Sequence, residues 1–187
     1  MDYPREQEVD RHYKVMLDLV RTDRTEKVRL LDLGCGASHM YGYIRRHGYD
    51  HVDYSGLDIS PRFIELCRRK YPSVPYYCLD ILDTQEELPE FDYIVMTGVL
   101  TEKCELSYDD MWDYAQRLLI KVFAKARIGI AFNVISKQVD WERDDLFHLP
   151  LDQLAWFLKK NLTRYFVIRN DYGCYEYTTY VYKQELR

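Results

Sequence analysis

The sequence predicts an α/β fold: a doubly wound, mostly parallel seven-stranded sheet with helices on both faces and a C-terminal antiparallel hairpin. Three observations carry this. From residue 28 onward, short apolar runs alternate with helix-period stretches, the order that builds a parallel sheet covered by helices. The run at 28–33, VRLLDL, is almost unbroken in its apolar character, as a strand buried on both faces must be. The last two apolar runs, TRYFVIRN and CYEYTTYVYK, have only DYG between them. That leaves no room for a crossover helix, so they are expected to pair antiparallel.

Each element has its own signal. After the first strand, SHMYGYIRRHGY carries Met40, Tyr43, Ile44 and His47 at helical spacing, with Gly48 placed to end the helix. VDYSGLD, 52–58, reads as the second strand. SPRFIELCRRKYP is expected to be a helix with Ser60 as N-cap, Pro61 at its first position and Pro72 as its stop. VPYYCLDI reads as the third strand and FDYIVMTGVL as the fourth. Between Tyr108 and Ala126 the residues Met111, Ala115, Leu118, Leu119, Val122, Phe123 and Ala126 share one helical face, the clearest helix in the chain. RIGIAFNVI, 127–135, is the fifth strand, and LDQLAWFLKKNL is a last helix before the hairpin.

With 187 residues the chain suits one domain, 1–187, in which a helical segment over 1–22 precedes a core over 28–187. No apolar run approaches the roughly 18 residues of a membrane span. The charged start, MDYPREQEVDRHYK, lacks the apolar centre of a secretory signal, so a cytoplasmic location is expected. Cys35, Cys67, Cys78, Cys104 and Cys174 are scattered without metal-type spacing and are expected to be reduced and to bind no metal. The net charge of −5 offers no global attraction to nucleic acid, which makes a small molecule the expected partner, with the chain a monomer or homodimer.

LLDLGCGAS, 30–38, ends the first strand in an acid and two glycines one residue apart. Glycines belong where the chain turns sharply and a ligand must approach the backbone with no Cβ in the way. Acids close the second and third predicted strands at Asp58 and Asp80, and a small-residue turn, TGV, closes the fourth. With these features in order and a hairpin at the end, the chain resembles the class I S-adenosylmethionine-dependent methyltransferases along nearly its whole length. The resemblance implies a Rossmann-like core, S-adenosyl-L-methionine as cofactor, and methyl transfer.

It also implies roles for particular residues. Asp32, Gly34 and Gly36, with Cys35 between the glycines, match the family's acid-x-Gly-x-Gly turn, and Ser38 stands where its fullest form has a third glycine. S-adenosylmethionine brings an ammonium and a sulfonium where a dinucleotide brings a pyrophosphate, so an acid at this turn suits it. Asp58, 24 residues after Gly34, would accept from both ribose hydroxyls; a plain helix cap is its other use. Ile59 would face the adenine. Asp80, in competition with Asp83, would accept from the adenine amino group, and the backbone of Ile81 would meet the ring. Thr97 and Gly98 would stand beside the methionine part.

On the acceptor side the family uses the N-terminal segment, here 3–20, and the loops TGVLTEKCELS and NVISKQVDWERDDLFHLP. A hydroxyl acceptor would need a base. His148 is the first candidate and His12 the second, with a packing role as the competing reading of each. Tyr13 either covers the cofactor or packs with Met16, Leu17 and Val20. Tyr172, Tyr175, Tyr177, Tyr180 and Tyr182 form a stacking surface or simply pair across strands. The expected function is methyl transfer to a small-molecule acceptor, O- or N-directed. The alternatives are a nicotinamide-dependent oxidoreductase, which shares the glycines and Asp58, and a non-catalytic relative that binds the cofactor.

Overall fold

The computed structural model describes residues 6–21, 26–83 and 88–185. Of the helical segment expected over 1–22, residues 1–5 and 22 lie outside the described residues; the remainder contains helix α1, Glu6–Leu17. The other helices are α2 (His39–Arg46), α3 (Pro61–Lys70), α4 (Tyr108–Lys125) and α5 (Leu151–Asn161). The strands are β1 (Val28–Leu33), β2 (Val52–Asp58), β3 (Tyr76–Cys78), β4 (Phe91–Met96), β5 (Ala126–Ser136), β6 (His148–Leu149), β7 (Phe166–Arg169) and β8 (Glu176–Tyr182).

They form one sheet in the order β3-β2-β1-β4-β5-β8-β7, with β6 paired parallel to the end of β5. β8 runs antiparallel to both of its neighbours, and the other pairings are parallel. The strand order reverses between β1 and β4, and at such a switch point the carboxyl ends of parallel strands leave a crevice. Alternation along β1 divides the core. Leu31 and Leu33 face α4 and α5 together with Ile94, Leu118 and Phe157, while Leu30 faces α1, α2 and α3 with Met16, Met40 and Ile64. Asp32 follows Leu30 in that alternation and so points to the α1–α3 side.

Four local expectations change in detail. The third strand is three residues long instead of spanning 74–81, because Asp80 folds back and its carboxylate accepts the Leu82 N–H at 2.8 Å. Ser60 sits at the N-cap of α3, but its side chain makes no capping bond; the Asp58 carboxylate takes the Ser60 N–H instead, at 2.8 Å. The hairpin connection spans 170–175 and is longer than DYG, and β8 inserts between β5 and β7. The two-residue β6 has no signal of its own in the sequence.

The hairpin tyrosines are mostly structural. Of the five candidate stacking tyrosines, Tyr172, Tyr177, Tyr180 and Tyr182 are buried and Tyr175 is exposed. Tyr180 and Tyr182 donate their hydroxyls to the carbonyls of Val15 and Leu19, at 2.5 and 3.1 Å, and so hold α1 and the turn after it on the sheet. Tyr177 donates to the Leu149 carbonyl at 3.1 Å.

Candidate active site

The turn after β1 is tied to β2 by its backbone. The N–H groups of Gly34 and Cys35 both donate to the Leu57 carbonyl, at 2.7 and 3.0 Å, and Gly36 N–H donates to Asp58 Oδ2 at 2.9 Å. Gly34, Gly36 and Ser38 all take left-handed conformations, with φ of +77°, +50° and +58°. At Gly34 a Cβ would stand 2.5 Å from Val99 Cγ2, so the glycine also lets the turn after β4 close against the turn after β1. At Gly36 a Cβ would meet nothing within 4 Å, which leaves open space over this backbone.

Ser38 explains how the third glycine position tolerates a side chain. Its hydroxyl is fully buried and lies 3.0 Å from the Tyr54 hydroxyl and 2.8 Å from that of Tyr76, bonds that hold a non-glycine residue in the left-handed region. Tyr54 in turn donates to Asp32 Oδ2 at 2.8 Å. Burial pushes the Asp32 carboxyl up to about 7; the Tyr54 hydrogen bond opposes the shift and the Asp58 charge adds to it. Gly56, which carried no functional signal in the sequence, keeps this layer closed, since a Cβ there would lie 2.7 Å from the Tyr76 ring and 2.9 Å from Cys35 Sγ.

Asp32, Gly34, Cys35, Gly36, Asp58, Thr97 and Gly98 line one cavity of about 420 Å³. The structure thus gathers seven of the expected cofactor residues from the ends of β1, β2 and β4. Tyr13 of α1, Met40, Phe63 and Glu102 complete the walls. Phe63 and Glu102 carried no signal beyond their element and loop. Burial and the nearby Asp32 charge push the Tyr13 phenol well above its ordinary range, so it stays protonated. Thr97 Oγ1 is buried and has no hydrogen-bond partner among the described residues.

Three expected residues do not line this cavity. Ile59 is 70% exposed, Asp80 is exposed and engaged with Leu82, and Ile81 is buried in the core beneath α4.

Neither candidate base reaches the cavity wall. His148 is buried with both ring nitrogens on backbone: Nε2 accepts from Arg143 N–H at 3.1 Å, which leaves Nδ1 to donate to the Ser136 carbonyl at 2.8 Å. It staples the loop 137–147 to the end of β5 and borders a separate cavity of about 270 Å³. His12 is buried with Nδ1 2.5 Å from Glu176 Oε1 and Nε2 3.5 Å from Cys174 Sγ. Among the described residues, no three His, Cys, Asp or Glu gather as cation ligands. No helix among them is long and apolar enough to cross a membrane.

This geometry has relatives. The methyltransferase domain family matches residues 30–121, from the middle of β1 through most of α4. Rv1506c of Mycobacterium tuberculosis, a methyltransferase by assignment only, is 28% identical over 158 residues, which cover 81% of this chain and 91% of that protein. Sequence match and fold together make the chain similar to the class I S-adenosylmethionine-dependent methyltransferases. Two of the crystal structures that share this fold are methyltransferases with S-adenosylmethionine bound. Magnesium protoporphyrin IX methyltransferase of Synechocystis with bound S-adenosylmethionine has a TM-score of 0.64 at 13% identity, covering 98% of this chain and 87% of the other. Human N-acetylserotonin methyltransferase in complex with S-adenosylmethionine has a TM-score of 0.67 at 14% identity, covering 93% and 52%.

S-adenosylmethionine is bound in the magnesium protoporphyrin IX methyltransferase structure, and the residues present in this chain fit it. The cavity offers a Thr97 hydroxyl without a hydrogen-bond partner among the described residues, an open approach over Gly36, and an Asp32 carboxyl that a neighbouring cation would ionise. Asp58 gives each oxygen to one backbone N–H, and a carboxylate has lone pairs beyond those two bonds.

Proposed function

We propose that this protein is an S-adenosylmethionine-dependent methyltransferase that acts on a small-molecule acceptor through an oxygen or nitrogen, and that it does so in the cavity between the glycine turn and Tyr13. One observation carries the reading: a single cavity of about 420 Å³ is lined by Asp32, Gly34 and Gly36 of the glycine turn, by Asp58 at the end of β2, by Tyr13 of α1 and by Glu102 after β4. That volume lies near the lower end of the roughly 300–1,000 Å³ typical of small-molecule sites, which favours a compact acceptor.

The residues divide the work. Asp58 accepts from the ribose hydroxyls. Asp32 balances the positive charge of the amino-acid tail, and the Thr97 hydroxyl takes a polar partner on the ligand. Gly34 and Gly36 allow the ligand against the backbone. S-adenosylmethionine supplies an activated methyl carbon, so the protein's remaining task is to align the acceptor atom and exclude water. Tyr13, a neutral phenol, donates a hydrogen bond toward the acceptor, and Glu102 is the carboxylate on that side that receives its proton.

The test has two stages. Calorimetry with S-adenosylhomocysteine and, separately, NADH should give saturable heat with the first alone, and the reverse result would replace methyl transfer with hydride transfer. Transfer of labelled methyl from S-adenosylmethionine to a panel of phenols, amines and carboxylic acids should then yield a methylated product detected by mass spectrometry. Methylation of protein or nucleic acid alone would remove the small-molecule reading.

A further inference from the structure

We propose that Asn133 and Glu176, neither of which lines the cavity, are positioning residues for cofactor binding. They join the turn after β4 and helix α1 in one buried network. The inference rests on the cofactor reading of the cavity given above.

The network begins at Gly98. Its N–H donates to Asn133 Oδ1 at 2.8 Å, and its carbonyl accepts from Thr101 Oγ1 at 3.0 Å, so this residue of the cavity wall is held from both sides. Gly98 is left-handed at φ +77° and lies between Thr97, whose hydroxyl has no partner among the described residues, and Val99, whose Cγ2 occupies the space a Gly34 Cβ would need. Moving Gly98 therefore moves the Thr97 hydroxyl and the Val99 contact with the glycine turn together. Asn133 is fully buried in the middle of β5, and its own orientation has to be set by something. Its Nδ2 donates to Glu176 Oε2 at 2.7 Å across the antiparallel β5–β8 pair. An amide with its nitrogen committed to a carboxylate can present only its oxygen to Gly98.

The other oxygen of Glu176 faces α1. His12 Nδ1 lies 2.5 Å from Oε1, and the Tyr172 hydroxyl donates to the same oxygen at 3.4 Å. Tyr13, the residue after His12, lines the cavity. One buried carboxylate thus sets the position of two walls: the Thr97–Gly98 turn through Asn133, and Tyr13 through His12. The cost of burying Glu176, which is 4% exposed, is offset by this full set of partners, and a half-satisfied version of the network would be worse than none.

Exchanging donor and acceptor tests the link. Asn133→Asp keeps an oxygen for Gly98 N–H but sets two carboxyl groups against each other. Adding Glu176→Gln restores a donor opposite the introduced carboxylate and leaves Oε1 toward His12. S-adenosylhomocysteine affinity, measured by calorimetry well below the unfolding midpoint of each variant, should fall about tenfold or more in Asn133→Asp and return to within about threefold of wild type in the double variant. Asn133→Ala, which adds no charge, is the second variant should Asn133→Asp not fold, with the same expected loss. A lowered unfolding midpoint with unchanged affinity would make the network merely structural and overturn the inference, as would loss without recovery in the double variant. Absence of heat with wild-type protein would remove the cofactor reading and this inference with it; heat from wild type and an unaffected Asn133 variant would remove the inference alone.

Discussion

Tyr54 donates its hydroxyl proton to Asp32 at 2.8 Å, and the two side chains stand on the α1–α3 face of adjacent parallel strands, β2 and β1. The bond makes a buried acid tolerable, because a carboxyl only 3% exposed has little water to turn to and needs a donor from the protein. Even so, burial outweighs the hydrogen bond and holds the carboxyl near neutrality.

Stability should therefore depend on Asp32 with a definite sign. Its folded value, about 7, lies above the ordinary 3.8, so the folded state binds the proton more tightly than the unfolded state. The contribution is complete below about 3.8 and is lost as pH rises through about 7. Thermal midpoints of unliganded wild type and Asp32→Asn between pH 5 and 8 should converge toward the low end and separate toward the high end, with the variant the more stable. Parallel midpoint curves would contradict this.

Ligand binding should reverse that protonation. A cation placed beside Asp32 favours the carboxylate, so binding of S-adenosylmethionine near pH 6.5, an approximate condition chosen below the folded value, should release a proton. Calorimetry in two buffers of different ionisation enthalpy reads the release directly, and Asp32→Asn should abolish it.

The two glycines separate backbone strain from ligand approach. Gly34→Ala drives a Cβ to 2.5 Å from Val99 in a left-handed residue, so it should destabilise the unliganded fold by roughly 2–4 kcal/mol and also cost affinity. Gly36→Ala meets nothing within 4 Å and should cost only the left-handed penalty of roughly 1–2 kcal/mol. Its loss of S-adenosylhomocysteine affinity should exceed tenfold, because the methyl enters space the ligand needs. Denaturant unfolding and calorimetry on the same samples give both quantities.

Asp58→Ala should weaken S-adenosylhomocysteine binding at least tenfold, since a pair of hydrogen bonds to a charged group is worth roughly 1.5–3 kcal/mol per bond. The same change frees Gly36 N–H and Ser60 N–H, so part of the loss comes from a looser turn. Asp58→Asn separates the two effects: an amide still accepts one backbone bond but loses the charge. Equal affinities for Asp58→Asn and wild type would place the ribose elsewhere.

His148 should act as a structural pin. With Arg143 N–H on Nε2 and the Ser136 carbonyl on Nδ1, the neutral Nδ1–H tautomer is the one this pairing selects, and long-range proton–nitrogen NMR should detect it. His148→Ala should destabilise the fold by roughly 1–3 kcal/mol and leave the shape of the pH–rate profile unchanged. A profile that loses a limb in the variant would restore His148 as a base.

The sequence by itself determined the local parts. Apolar periodicity and turn chemistry placed β1, β2, β5 and α4 within a residue or so of their observed ends, because a buried strand or an amphipathic helix writes its period into adjacent residues. It also put Asp32, Gly34, Gly36 and Asp58 near one another, since a parallel sheet leaves the ends of β1 and β2 on one edge, and the four line one cavity. Tertiary structure alone decided what joins distant positions. The insertion of β8 beside β5, the Ser38–Tyr54–Tyr76 cluster, the joining of Gly98 to Glu176 through Asn133, and the use of His148 as a staple each depend on partners from different elements. Such contacts leave no periodic trace along the chain: an acid such as Asp80, turned onto its own backbone, and one such as Asp58, turned into a cavity, read alike until packing fixes which way each carboxylate faces.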